Sequence, residues 1–126
     1  MKLKHLLTCG AVILLTTAAA RADDLQFYSS DGPMQVHVTQ DGRVFGGYQQ
    51  ESGARRPGRL VGHVGGGGTL DGLWLQPESD HPCSHPREGT NSWGRFTISN
   101  AWSPSPYGVW GYCDEIPSRS WNLSRR

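Results

Sequence analysis

The chain has 126 residues, of which 12 are Lys or Arg, 11 are Asp or Glu and 36% are hydrophobic, and this length allows one small domain. Its 17 Gly and 8 Pro argue against a helical bundle, because both residues interrupt helices. A nucleotide-binding α/β fold is also excluded, since it needs a longer chain.

The first 22 residues have the organisation of a secretory signal peptide. Two lysines precede an apolar run at residues 6–15, and an Ala-Arg-Ala sequence follows at residues 20–22. The run is about half the roughly 20 residues that a membrane span needs. We therefore expect an exported protein, periplasmic or extracellular, with no stable membrane insertion. Lipidation of Cys9 stays open as an alternative.

Removal of this segment leaves a single β domain at residues 23–126. It keeps nine arginines, no lysine and all 11 acidic residues, and the resulting net charge of −2 argues against nucleic acid as a partner. It also keeps two cysteines, and an oxidising compartment favours a disulfide between Cys83 and Cys113. That crosslink is expected to stabilise the domain by about 3–4 kcal/mol.

Short alternating segments, typical of β-strands, recur along the rest of the chain. Apolar and polar residues alternate over residues 34–39, which predicts a half-buried strand. The dipeptide Asp41-Gly42 follows and favours a type I′ hairpin turn, in which both central residues have positive φ. The partner strand is expected at residues 43–49.

The pattern Gly-x-aliphatic-x-Gly-x-(aromatic or Val) occurs three times, at residues 42–48, 58–64 and 68–74. Positions two apart share one face of a strand, so each copy places a bare glycine between two larger side chains. We expect an aromatic ring from a neighbouring strand to cover the central glycine of each copy. Such a sheet is strongly twisted and closes into a small barrel.

Two further strands are predicted at residues 93–99 and 107–113, after a Pro-containing loop at residues 77–92. A weak strand near residues 25–28 brings the predicted total to at most seven. The chain is therefore predicted to be an all-β domain, a small antiparallel meander. It either closes into an up-and-down barrel or forms a two-layer sheet.

The five tryptophans provide candidate binding residues. Trp74 and Trp93 are interpreted as core rings that cover glycines. Trp102 lies in a polar turn, and Trp110 lies in a predicted strand that begins at Tyr107. Exposed Trp and Tyr rings stack on sugars or anchor protein partners, so we expect Trp102, Tyr107 and Trp110 to contribute to a binding surface.

A group of basic residues gives a second candidate surface. Arg55, Arg56 and Arg59 lie close together in sequence, beside a proline and a glycine. With Arg125 and Arg126 they have the chemistry to bind phosphate or acidic glycans. The alternative is a solvated hairpin loop.

Metal and catalytic chemistry have little support in the sequence. A zinc or copper site needs three or four converging ligands, and oxidation of Cys83 leaves only His81 and His85 in the densest group. No Gly-x-Ser-x-Gly nucleophile elbow occurs, and no spacing indicates a catalytic triad. We therefore expect no metal, no cofactor and no enzymatic activity.

The stretch at residues 32–48, continued at 58–62 and 70–74 and by the closing strands at 93–96 and 111–113, resembles a group of secreted bacterial Gly/Trp-rich β-meander domains. These are loosely similar in pattern to avidin-like and lipocalin-like barrels. The resemblance implies a fold and export rather than an activity. The opening Trp of avidin-like barrels is missing here, so the resemblance assigns no biotin-site residue.

The leading hypothesis is an exported, non-catalytic protein that binds a protein or glycan of the cell envelope. It would act through the aromatic residues named above and the loops at residues 55–59 and 80–88. Two alternatives are a periplasmic inhibitor or immunity protein of a lytic enzyme, and a small hydrophobic-ligand carrier. The oligomeric state stays open.

Overall fold

The computed structural model describes residues 22–48 and 57–126, so the predicted signal peptide lies outside the described residues except for Ala22. The described residues form nine antiparallel β-strands in one sheet, which confirms the all-β prediction. The strands are β1 (Asp23–Ser29), β2 (Gly32–Val38), β3 (Arg43–Tyr48), β4 (Gly58–Val64), β5 (Leu70–Gln76), β6 (Ser92–Ser99), β7 (Tyr107–Tyr112), β8 (Arg119–Trp121) and β9 (Leu123–Arg125).

Strands β1 to β7 form a meander in which each strand pairs with the next one along the chain. β8 then pairs with β7, whereas β9 pairs with β1. Only Asn122 separates β8 from β9, so one continuous segment joins the two edges of the sheet. The sheet is thereby nearly closed into a barrel, and the outer sides of β7 and β1 are paired.

The prediction of at most seven strands was too low. The structure adds β8 and β9, which have three residues each. A strand of three residues is too short to show an apolar–polar alternation. Both strands exist because they complete the hydrogen bonding of β7 and β1, and this depends on tertiary structure.

The inner face of the barrel is a single apolar cluster. Alternate residues of the strands point into it, as the period of two requires, and each is at most 4% exposed. The members are Leu25, Phe27, Met34, Val36, Val38, Val44, Tyr48, Leu60, Leu70, Trp74, Phe96, Ile98, Ala101 and Trp121.

Two kinds of group occupy the space beside the inward-facing glycines, namely an aromatic ring and the backbone of a neighbouring strand. A Cβ at Gly94 would lie 2.6 Å from Cε2 of Trp74, so an aromatic ring covers this glycine. At Gly62 and Gly72, which pair across β4 and β5, a Cβ would lie within 2.8 Å of the partner's Cα. At Gly46 a Cβ would lie 3.1 Å from Cα of Val36 in β2. The prediction that aromatic rings cover the three central glycines was therefore wrong, because coiling of the sheet brings backbone against them.

The turn between β2 and β3 also differs from its prediction. Gly42 has a φ of 86°, but Asp41 does not have a positive φ. The Gly42 N–H donates to the carbonyl oxygen of Thr39 at 3.0 Å, and the Thr39 N–H donates to that of Arg43 at 2.8 Å. This is the three-residue hairpin loop with a left-handed glycine rather than a type I′ turn.

A second, smaller core lies on the outer face of β5 and β6. Leu75 and Trp93 are buried there beneath the loop at residues 77–91, together with Cys83. The predicted Cys83–Cys113 disulfide is present and is compatible with an exported protein. Trp93 is thus buried as predicted, but it packs under a loop and does not cover a glycine inside the barrel.

Candidate functional site

Trp102, a predicted binding residue, packs at one end of the barrel. Its Nε1 donates a hydrogen bond to Oδ2 of Asp23 at 2.9 Å, and its half-buried ring packs against the apolar cluster. The N–H of the adjacent Ala101 donates to the carbonyl oxygen of Gly68 at 3.1 Å. Trp102 therefore contributes to the packing of this barrel end.

Tyr107 and Trp110 lie on opposite faces of β7, since they are three positions apart in the strand. Tyr107 points outward and is 58% exposed. Trp110 points inward, pairs with Phe96 of β6 and is half-buried against the core. The structure therefore does not bring Trp102, Tyr107 and Trp110 together on one surface.

Trp110 belongs to an aromatic cluster towards the other end of the barrel. Its ring centroid lies 5.9 Å from that of Trp74 and 5.0 Å from that of Tyr112, at interplanar angles of 84°. The guanidinium carbon of Arg119 lies 5.5 Å from the Trp110 centroid and 4.9 Å from that of Tyr112. Oε1 of Glu115 lies 3.9 Å from Nε of Arg119. Trp110 is thus covered in part by a cation of its own chain.

A groove with a volume of about 600 Å³ lies on the outer face of β1 to β4, and this volume is within the range of small-ligand sites. Gly47 has no side chain to fill the space between Gln35 and Arg59, its neighbours in β2 and β4. The side chains that line the groove and point outward belong to Asp24, Gln26, Pro33, Gln35, His37, Phe45, Arg59 and Arg126. Arg59 and Arg126 are the residues of the predicted basic surface among them, and Arg55 and Arg56 lie outside the described residues.

Strand register arranges most of these side chains in two rows across the sheet. The first, here called the arginine row, contains Arg126, Gln26, Gln35, Gly47 and Arg59 in that order. The N–H of Arg126 donates to the carbonyl oxygen of Gln26 at 3.0 Å, which continues the pairing of β9 with β1. The second, here called the Phe45 row, contains Asp24, His37 and Phe45.

Contacts along the Phe45 row hold its side chains in place. The rings of His37 and Phe45 stack with centroids 6.3 Å apart at an interplanar angle of 10°. Nδ1 of His37 lies 2.5 Å from Oδ1 of Asp24, and the guanidinium carbon of Arg43 lies 5.6 Å from the Phe45 centroid. Phe45 remains 40% exposed, so the row presents an oriented aromatic ring to solvent.

The groove combines an apolar ring with planar hydrogen-bonding groups. The amides of Gln26 and Gln35 both donate and accept, the guanidinium of Arg59 donates only, and the carboxylate of Asp24 accepts. A sugar presents C–H groups on the face of its ring and hydroxyl groups at its edge, and both find complementary groups here. The described lining holds one carboxylate, whereas glycoside hydrolysis normally uses two.

The loop at residues 77–91 is a second exposed feature, and many bonds hold it in place. Besides the disulfide, Nδ2 of Asn91 donates to the carbonyl oxygen of Cys83 at 3.0 Å. Nε1 of Trp93 donates to the carbonyl oxygen of His85 at 2.9 Å. Most of its residues are nevertheless exposed. The loop therefore presents polar side chains from a fixed backbone.

The two histidines considered as metal ligands make separate ring contacts. His81 lies 4.4 Å from Tyr112, and His85 lies 5.4 Å from Trp93, measured between ring centroids. Within residues 22–48 and 57–126, no group of three or more His, Cys, Asp or Glu is placed to hold a metal ion.

Sequence reasoning missed most of the groove. Gln35 and His37 were recognised as the polar positions of an alternating strand, and Phe45 as a variable position of the glycine repeat. The sequence feature that could have revealed the groove is the apolar–polar alternation of three consecutive strands. It indicates which residues face outward, but only the register shows that they are neighbours.

No protein-family model matches the chain, and comparison with curated proteins and with solved structures found no match. The resemblance to secreted β-meander domains therefore stays a prediction. Among the described residues, no helix is long and apolar enough to cross a membrane. The arrangement of the chain's own side chains is therefore the basis on which a function is proposed.

Proposed function

We propose that the protein is an exported, non-catalytic binding protein that takes a saccharide of the cell envelope in the outer groove. The single observation that supports this proposal best is the Phe45 row. An exposed ring, 40% accessible, lies beside an imidazole and a carboxylate that are already in contact with each other.

The side chains of the Phe45 row are already held in position, which favours a high affinity for a ligand. Phe45 is stacked on His37, and both residues lie on strands rather than on loops. Groups held in position before binding lose little conformational entropy when a ligand arrives. Gly47 has no side chain on the outer face, so a sugar ring has room to approach the sheet there.

A glycan array is the direct test. The wild-type protein and a Phe45→Ala variant are compared on an array of neutral and acidic envelope saccharides. We expect Phe45→Ala to weaken binding about fivefold, because loss of a stacked aromatic contact removes on the order of 1 kcal/mol. Isothermal titration with the strongest ligand gives the Kd.

Tyr107→Ala is the matched control. It removes another exposed aromatic side chain, 58% accessible, from β7 outside the groove. We expect it to bind as the wild type does. Equal binding by Phe45→Ala and the wild type, or no saccharide bound by the wild type above background, would contradict the proposal.

A second candidate function is inhibition of a lytic enzyme, and the loop at residues 77–91 favours it. An inhibitory loop gains affinity when its bound conformation already exists in the free protein. The bonds from Asn91 to Cys83 and from Trp93 to His85 fix this loop, and the disulfide ties it to the β7–β8 turn.

Inhibition assays on a panel of peptidoglycan hydrolases test this second candidate. We expect the wild type to inhibit one member and Asn91→Ala to raise the inhibition constant, since Asn91 bonds to the loop backbone. Phe45→Ala, which leaves the loop intact, should inhibit like the wild type. Absence of inhibition across the panel contradicts this function.

A further inference from the structure

The two arginines that end the arginine row have no side-chain carboxylate partner among the described residues. Within residues 22–48 and 57–126, no carboxylate forms an ion pair with Arg59 or Arg126. The arginines that do have one are Arg43 with Asp41 at 3.6 Å, Arg87 with Asp114 at 3.8 Å and Arg119 with Glu115 at 3.9 Å. The groove therefore carries two cations whose charge is not compensated by an ion pair within the described part of the chain.

Both cations are held beside the groove by other contacts. The guanidinium carbon of Arg126 lies 5.1 Å from the ring centroid of Tyr28, and its backbone N–H bonds to Gln26. Nη2 of Arg59 lies 3.4 Å from the carbonyl oxygen of Glu88, and none of these contacts neutralises a charge.

The one side-chain carboxylate in the described part of the groove lining is engaged. Oδ1 of Asp24 lies 2.5 Å from Nδ1 of His37, and it belongs to the Phe45 row rather than to the arginine row. The side chains of the arginine row therefore offer an anion two guanidinium groups and two amides, with the Asp24 side chain one row away.

The separation of the two arginines sets the size of the ligand. They lie on β4 and beyond the end of β9, with β1, β2 and β3 between them. Four strand spacings correspond to roughly 19 Å along the sheet. A monosaccharide cannot reach both guanidinium groups across this distance, whereas a saccharide of several units that crosses the strands can do so.

We infer that the groove binds an extended acidic saccharide, laid across the strands, whose carboxylates pair with Arg59 and Arg126. This inference rests on the proposed function and specifies its ligand as one that contains uronic acid. Guanidinium and carboxylate groups match as planar, two-pronged partners. The Phe45 row then stacks on a sugar ring between the two charged contacts.

Matched pairs of saccharides test the inference. Linear tetrasaccharides that contain uronic acid are compared with the same tetrasaccharides after reduction of each carboxylate to a hydroxymethyl group. We expect the wild type to bind an acidic member at least about tenfold more tightly than its reduced counterpart, since a hydrogen bond to a charged group contributes about 1.5–3 kcal/mol. Added salt should narrow that difference.

Variants distinguish the inference from the proposed function. Arg59→Gln and Arg126→Gln should lose the preference for acidic members and keep the affinity for reduced ones, whereas Phe45→Ala should weaken binding to both. Arg95→Gln, which makes the same charge change on the outer face of β6, is the control and should leave the preference intact.

The outcomes show whether the inference fails alone or together with the proposed function. Equal binding of acidic and reduced members by the wild type overturns the inference and leaves the proposed function standing. No binding of either member overturns both. A single-stranded oligonucleotide of equal charge that binds as tightly as the acidic saccharide would indicate plain polyanion attraction and would also overturn the inference.

Discussion

Nε1 of Trp74 in β5 donates a hydrogen bond of 3.0 Å to the carbonyl oxygen of Gly111 in β7, across the intervening strand β6. The bond is possible because Gly94, the residue of β6 that pairs with both strands there, has no side chain. The relationship joins three strands through one indole ring. It explains why a tryptophan and a glycine occur at facing positions of this sheet.

Substitution of Gly94 by Ala is expected to destabilise the fold by about 1–3 kcal/mol, the usual cost of overpacking. The added Cβ would lie 2.5 Å from Nε1 of Trp74 and would overlap the carbonyl oxygen of Gly111. Gly66→Ala is the control, because its Cβ would meet nothing within 4 Å. Urea unfolding measures both variants, and equal stability of the two would contradict this explanation.

Removal of the disulfide by a Cys83→Ser, Cys113→Ser double substitution is expected to lower the free energy of unfolding by about 3–4 kcal/mol. The bridge spans 30 residues, and closing a loop of that size restricts the unfolded chain by this amount. Denaturant unfolding with tryptophan fluorescence is the measurement. A loss below about 1 kcal/mol would show that the bonds of the 77–91 loop suffice without it.

Stability is expected to fall as the pH rises above 10. Burial raises the pKa of the Tyr48 phenol above its ordinary value of 10.0, so the unfolded chain loses this proton at a lower pH than the folded one does. The free energy of unfolding should then decrease by up to about 1.4 kcal/mol per pH unit. Tyr48→Phe should flatten this slope, and an unchanged slope would rule out Tyr48 as its cause.

Trp102 is expected to affect stability and not saccharide binding. Trp102→Phe removes the hydrogen bond to Asp23, at a cost of about 1 kcal/mol. A double-mutant cycle with Asp23→Ala should give a coupling energy of similar size, because the two side chains form one bond. If the two substitutions changed the free energy of unfolding additively, or if Trp102→Phe raised the Kd for the saccharide, this assignment would be contradicted.

Only some features of the groove could be predicted from the sequence. Alternation correctly placed Gln35 and His37 on the solvent side of their strand, since a strand has a period of two. It did not show that Phe45 and Asp24 flank His37, because neighbours across a sheet are set by strand register. The basic group was recognised at Arg59 and Arg126, but their place at the two ends of one row depends on β9 pairing with β1.

The sequence by itself determined the all-β class, the meander order and the Cys83–Cys113 pairing, because these depend on local alternation, turn residues and the number of cysteines left after residue 22. Only the tertiary structure decided the closure of the barrel by β8 and β9, the inward position of Trp110 and the groove beside Phe45. Each of these depends on contacts between residues far apart in the chain, and sheet curvature and register bring them together.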